Sequence, residues 1–174
     1  MKGVEMPRYP RPVVTVDSVV FTQINKWPHV LLIKRGKAPF KDKWAIPGGH
    51  VEKDEKLEVA VARELFEETG VACHNLKLLS ACGDPGRDPR GWYITLAYTG
   101  SVSSDVKLRV DDDAAEAKWF PIERVADLPL AFDHRKVLGL AIAQTQSDDM
   151  KTFADNLWSQ AMSGLSKMIF KDED

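Results

Sequence analysis

Gly49-His-Val-Glu-Lys-Asp-Glu55-Lys-Leu-Glu-Val-Ala-Val-Ala-Arg63-Glu64-Leu65-Phe-Glu67-Glu68-Thr-Gly70-Val71 is the stretch on which the reading of this chain turns. It places Glu64, Glu67 and Glu68 at i, i+3 and i+4, between a glycine turn and a glycine stop. Successive helical residues are about 100° apart, so Glu68 projects about 40° from Glu64, and Glu67 about 60° to the other side. Like charges this close repel one another unless a cation sits among them. Hard carboxylate oxygens suit Mg²⁺ or Mn²⁺, the common escorts of phosphate compounds. The competing reading is an ordinary amphipathic helix, with Leu57, Val61 and Leu65 inward and a solvated acidic face.

The flanking residues decide between the two. The stretch satisfies G-x5-E-x7-R-E-U-x-E-E-x-G-U, with U a bulky aliphatic, at all nine specified positions. That many fixed positions make a chance match remote. The pattern resembles the signature of the Nudix hydrolases, which cleave nucleoside diphosphates linked to another group. The resemblance implies metal ligation by Glu64, Glu67 and Glu68, with the Gly48 carbonyl a further ligand and Mg²⁺ (or Mn²⁺) the cofactor. Arg63 is expected to orient the glutamates through ion pairs, and Glu55 to secure the loop before the helix or extend the metal shell.

Working outward, Val13 to Thr22 and Val30 to Lys34 read as strands joined by a polar turn over Gln23 to His29. Lys37 to Lys43 is a basic loop. Trp44 to Ile46 reads as a short strand running into a Pro47-Gly48-Gly49 turn, whose carbonyls can approach a ligand closely. The helix is expected from about Lys56 to Thr69, with an acceptor from Asp54 or Glu55 at its start and Gly70 as a left-handed cap. Leu76 to Ala81, Trp92 to Tyr98 and Ala117 to Phe120 read as further strands. Asp133 or His134 opens a second helix with Val137, Leu138, Ala141 and Ile142 on one face. The order predicts an α/β protein, an α/β/α sandwich around a mixed β-sheet, which is also the fold the resemblance implies.

A second segment, Gly83-Asp-Pro-Gly-Arg87-Asp88-Pro-Arg90-Gly91, must be a loop, since it holds prolines and glycines throughout. Arginine's planar fork suits pyrophosphate or ribose hydroxyls, though the same charges can also pair with each other in a solvated turn. Within a chain carrying the first signature, this loop resembles that of bacterial and archaeal ADP-ribose pyrophosphatases. Arg87, Asp88, Arg90 and Gly91 are accordingly the expected substrate contacts, with Trp44, Trp92 or Tyr93 stacking on adenine or filling the core. The third segment runs from Asp111 to Pro121. Its Asp111 to Asp113 run reads as solvated surface, whereas Glu116 is flanked by apolar residues. Family members often recruit an acid from this loop, so Glu116 is the expected metal ligand or base, with Asp112 and Asp113 as rivals. His134 reads as a helix-start residue. Catalysis is thus expected from Glu67, Glu68, Glu116 and Arg63: Mg²⁺-dependent cleavage of ADP-ribose to AMP and ribose 5-phosphate. An NADH or other nucleotide pyrophosphatase, or a nucleotide-pool sanitising enzyme, is the alternative.

Composition agrees with one compact enzyme. At 174 residues the chain can bury a real core, and its formal charge of -2 gives no electrostatic case for nucleic acid or an anionic membrane. Cys73 and Cys82 make no disulfide framework and have no metal-ligand spacing, so packing roles in the cytoplasm are expected. Residues 1–149 are read as a Nudix domain with its closing helix. Residues 150–174 are read as a helical extension, in which Phe153, Leu157, Trp158, Met162, Leu165 and Ile169 form an apolar stripe fitting the domain itself or a homodimer contact. Regulators that join such a domain to a DNA-binding winged helix are the non-enzymatic alternative. The roughly forty residues after Asp133 are too few for both elements, and regulators of this kind often lose signature acids.

Overall fold

The computed structural model describes residues 10–109 and 114–148. Its strands are β1 (Val13–Ile24), β2 (Trp27–Arg35), β3 (Trp44–Ala45), β4 (Gly48–His50), β5 (Lys77–Cys82), β6 (Tyr93–Ser101) and β7 (Ala114–Pro121). Its helices are α1 (Leu57–Thr69) and α2 (His134–Asp148), and a 3-10 turn over Ile122–Asp127 follows β7. The strands form one sheet: β3-β2-β1-β6-β5 lie side by side, β4 joins β1, and β7 joins β2. β1 and β6 run parallel from Val13↔Tyr93 to Phe21↔Ser101, while the other pairings are antiparallel. The sheet is mixed, as expected.

The alternation of β1 sets the layers, because residues two apart share a face. Val16 and Val20 pack with Ala60, Val61 and Leu65 of α1. Val19 and Phe21 pack instead with Val137, Leu138, Ala141 and Ile142 of α2. One helix therefore covers each face of the sheet, which is the α/β/α sandwich. Each of these fully buried aliphatic side chains contributes roughly 1.5–3 kcal/mol by leaving water. Cys73 and Cys82 are free thiols, both buried.

Several local expectations change. The polar turn shrinks to Asn25-Lys26, both at positive φ (51° and 69°), between paired Ile24 and Trp27. Two left-handed residues match the right-handed twist of the strands, so the hairpin closes in two residues. Lys56 stands at the N-cap of α1 without a side-chain cap, so neither Asp54 nor Glu55 caps the helix. Gly70 does terminate it, at φ 70°, with its N–H given to Phe66 O. Gly48 and Gly49 belong to β4, which pairs with β1 at Asp17↔Gly48 and Val16↔Gly49 rather than forming a free turn. β7 begins at Ala114, so Glu116 lies in the strand and not in the loop before it. The predicted helix over residues 150–174, the domain boundary at 149 and the rival acids Asp112 and Asp113 lie outside the described residues. Among the described residues no helix is long and apolar enough to cross a membrane.

Candidate active site

Burial of Val61 and Leu65 on the sheet fixes the rotation of α1 about its axis. Arg63, Glu64, Glu67 and Glu68 are thereby carried toward the edge where β4 meets the helix. The three glutamates border a cavity of about 450 Å³, with Arg63 behind them; its other walls come from β1, β2, β4, the Arg87–Arg90 loop and the start of α2.

The helical carboxylates are held by two different donors. Arg63 gives Nε and Nη2 to the two oxygens of Glu55 at 2.8 and 2.9 Å. Its Nη1 reaches Glu64 Oε1 at 2.9 Å and Glu67 Oε2 at 3.0 Å, and Nη2 also meets His50 O at 3.0 Å. Bonding to Glu55 holds the guanidinium more firmly protonated than usual, and the reciprocal bond draws the Glu55 carboxyl down to about 2. The Gly48 N–H donates to Glu68 Oε2 at 2.8 Å. Burial pushes the Glu68 carboxyl up to about 8, against that hydrogen bond, and raises Glu64 as well. Close approach needs glycine at both strand positions. A Cβ on Gly48 would overlap the Val16 carbonyl oxygen, and one on Gly49 would sit 2.5 Å from Glu64 Oε1.

The sheet floor adds groups that motif reading did not select. Asp17, in mid-β1, is 7 % exposed, and burial pushes it up to about 7, with Arg87 opposing. His134 Nδ1 accepts the Ile46 N–H at 2.9 Å, and its Nε2 lies 3.7 Å from Asp17 Oδ2. Burial depresses the His134 ring to about 3, so it is neutral at pH 7. Arg35 leaves β2 with Nε bonded to Pro39 O at 2.8 Å and Cζ 4.8 Å from the Phe132 ring centroid. Phe132 sits at φ 50°, a strained left-handed backbone for an aromatic residue, of the kind found at ligand sites. The signal for Asp17 is present in the sequence: a charge inside Val13-Val-Thr-Val-Asp17-Ser-Val-Val-Phe21 is out of place unless it is used.

The candidate substrate loop is more internally paired than expected. Arg87 is locked on Asp133 through Nε and Nη2 (2.9 and 2.7 Å) and on Thr95 through Nη1 (2.6 Å). Asp88 takes the Arg90 N–H and its guanidinium, at 2.6 Å for Nη2, and Arg90 lies over the Tyr93 ring. Arg87, Asp88 and Arg90 all face the cavity, whereas Gly91 does not line it. Trp44 packs against Phe120 at 4.6 Å, and Trp92 is 51 % exposed; neither lines the cavity. Glu116 is exposed, paired with Lys34 in register, and also outside the cavity lining.

Among the described residues no three His, Cys, Asp or Glu side chains converge on one point as a ready metal cage. The donor set nevertheless fits Mg²⁺, which keeps several waters and is commonly held by one or two carboxylates together with substrate phosphate oxygens. Glu64 and Glu68, both pushed toward protonation by burial, are groups that a cation would relieve.

With this fold and this carboxylate wall, comparison with known proteins gives the class. The NUDIX-domain family model matches residues 11–140, and the chain belongs to the Nudix hydrolase family. It is 42 % identical over 130 residues to the ADP-ribose pyrophosphatase of Methanocaldococcus jannaschii, covering 75 % of this chain and 73 % of that one. It is 35 % identical over 138 residues to the ADPR-responsive transcriptional repressor NtrR of Acinetobacter baylyi, covering 78 % of this chain but only 55 % of the repressor. Among solved structures, the NUDIX domain of Shewanella oneidensis NrtR complexed with ADP ribose superposes with a TM-score of 0.75 at 34 % identity, covering 79 % of this chain and 90 % of that one.

Proposed function

We propose that this protein hydrolyses the diphosphate bond of ADP-ribose to AMP and ribose 5-phosphate in the presence of Mg²⁺. The observation that carries the reading is the pairing of a half-buried carboxylate wall, Glu64 and Glu68 beside Gly48, with an arginine-bearing wall across one cavity. The likeness to an ADP-ribose pyrophosphatase and to an ADP-ribose complex supports the choice of substrate.

Mg²⁺ would be held by Glu64 and Glu68, with Glu67 at the rim and the Gly48 carbonyl beside them, and would neutralise phosphate oxygens and acidify a bound water. The protein's own groups do the rest. Arg63 keeps Glu64 and Glu67 turned toward the cavity. Glu68 is assigned the base on its placement: its carboxyl lines the cavity, is anchored by the Gly48 N–H, and takes the proton of the attacking water. Water oxygen bonds to one phosphorus as the bridging oxygen leaves with the other phosphate. Arg35, Arg87 and Arg90 face that displaced charge and stabilise it. Asp88 positions Arg90. Exposed Glu116, on β7, is not given the base role.

The test is a panel of ADP-ribose, NADH, diadenosine polyphosphates, ADP-glucose and 8-oxo-dGTP with Mg²⁺. ADP-ribose is expected to give the highest kcat/KM, and a better rival would replace it as substrate. A second reading rests on the repressor relative: binding of ADP-ribose without turnover, as a sensor. The intact Glu64, Glu67 and Glu68 set favours turnover, and a tight complex from which no AMP is released would favour the sensor.

A further inference from the structure

If the carboxylate wall takes the diphosphate, a carboxyl on the cavity floor is left with no side-chain donor. Asp17 is nine-tenths buried, with 10 % of its side chain exposed, and it lines the cavity. Its threonine and arginine neighbours bond to one another or to Asp133 rather than to Asp17. Thr15 Oγ1 and Thr95 Oγ1 share a hydrogen bond of 2.6 Å, and Thr95 also accepts from Arg87, which gives two further N–H groups to Asp133. His134 Nδ1 accepts from Ile46, so the neutral ring carries its proton on Nε2. That nitrogen is 3.7 Å from Asp17 Oδ2, beyond hydrogen-bond reach. Among the described residues the Asp17 carboxyl makes no side-chain hydrogen bond. A carboxyl that faces the cavity with no protein donor is open to a donor from a ligand.

The register says which part of a ligand reaches it. Asp17 pairs with Gly48, and its Oδ1 lies 2.5 Å from where a Gly48 Cβ would be. The same Gly48 holds Glu68 through its N–H. A phosphate bound against Glu64 and Glu68 therefore brings the sugar attached to it over Asp17. A carboxyl group accepts from two hydroxyls at once, and acids at ribose hydroxyls are a recurrent means of nucleotide recognition.

On the proposed substrate reading above, we infer that Asp17 is a specificity-determining residue that accepts hydrogen bonds from the hydroxyls of a pentose attached to the diphosphate. ADP-ribose carries two such pentoses, and they differ in what else they bear. The experiment is calorimetric binding, with Mg²⁺ present, of AMP against 2′-deoxy-AMP and of ribose 5-phosphate against 2-deoxyribose 5-phosphate. Wild type, Asp17→Asn and Asp17→Ala are compared. Wild type is expected to bind the hydroxylated member of one pair at least about tenfold more tightly. The pair that discriminates identifies the pentose. Both variants should reduce that preference to about twofold or less while leaving the deoxy ligand's affinity unchanged.

Asp17→Asn keeps the shape of the side chain, so the test stands if the alanine variant does not fold. The inference is overturned by a wild type that does not discriminate in either pair, or by variants that keep the preference. It is equally overturned if both members of a pair weaken alike, or if the variants lose Mg²⁺ affinity instead, which would make Asp17 a metal ligand. Because binding is read without turnover, an inactive wild type would count against the hydrolase reading and not against this one.

Discussion

Arg63 and Glu55 meet as a two-point ion pair across eight residues, at 2.8 and 2.9 Å, and so tie the loop before α1 to the helix itself. The pair takes up Nε and one face of Nη2, which leaves Nη1 aimed at Glu64 and Glu67. A single guanidinium thus converts the helical spacing of the acids into a fixed arrangement at the cavity edge. Glu55, the most distant acid of the motif, does not line the cavity and is tied to the helical acids through Arg63.

Arg63→Lys keeps the charge but cannot bridge Glu55, Glu64 and Glu67 together, because an ammonium has no planar fork. The Mg²⁺ concentration for half-maximal turnover should rise by roughly 10–100-fold, the usual effect of losing a group that orients metal ligands. Glu55→Gln should shift it in the same direction. An unchanged Mg²⁺ titration in both variants would remove the orienting role.

Glu68→Gln keeps the Gly48 hydrogen bond through its amide oxygen but removes the base and the negative charge. Turnover of ADP-ribose should fall by roughly a hundredfold or more, in line with the contribution of a positioned base. Glu116→Gln, on exposed β7 outside the cavity, should stay within about twofold of wild type on the same scale, as surface changes usually do. Release of AMP, followed chromatographically, checks both. A large loss in Glu116→Gln would return that residue to the site.

The layers and the carboxylate wall were legible because their information is local. Helical period placed Leu57, Val61 and Leu65 against Glu64 and Glu68, and Gly70 needed only its own φ to end the helix. The opposite wall was legible only in its Arg87–Arg90 loop, since the rest is made by long-range pairing. Parallel pairing of β1 with β6 brings Thr15 to Thr95, and α2 delivers His134 to Asp17, more than a hundred residues away. Arginine forks were read as free for substrate, yet Asp133 and Asp88 fill most of them. No spacing rule links Arg87 to Asp133. Glu116 was set just before a strand expected over Ala117 to Phe120; pairing with β2 starts that strand at Ala114 and takes Glu116 into it.

The raised and lowered groups give a pH signature to the metal-free protein. Glu68 and Asp17 have folded values near 8 and 7, above their ordinary 4.5 and 3.8. The folded state then holds more protons than the unfolded one, so their stabilising effect is lost as pH rises through those folded values. His134 is opposite: lowered from 6.5 to about 3, it contributes stability above pH 6.5 that is lost as pH falls toward 3. Below about pH 6.5 the two effects oppose; above it only the carboxyls titrate. The Tm in EDTA should therefore fall from pH 6.5 to 8, and Glu68→Gln should flatten that slope. Added Mg²⁺ should raise Tm more at pH 8 than at pH 6, because it binds the ionised carboxylates. A metal-free Tm that climbs over this interval would contradict the assignment.

Gly48 and Gly49 look equivalent in sequence, but their surroundings make opposite demands. An added Cβ at Gly48 meets the backbone carbonyl of Val16 in the adjacent strand, which cannot move without breaking the β1–β4 pairing. Gly48→Ala should cost at least about 2 kcal/mol, as overpacking against fixed atoms does. For a chain of this size that is a Tm drop of roughly 4–8 °C. At Gly49 the obstruction is the carboxylate end of Glu64, which can swing away. Gly49→Ala should therefore melt within about 2 °C of wild type, a surface-sized effect, while requiring much more Mg²⁺ for turnover because Glu64 has been displaced. Measuring melting and Mg²⁺ dependence on the two variants separates the strand-pairing role from the ligand-placing one. Equal behaviour of the pair would mean that β4 is not held against β1 and α1 in the way the contacts describe.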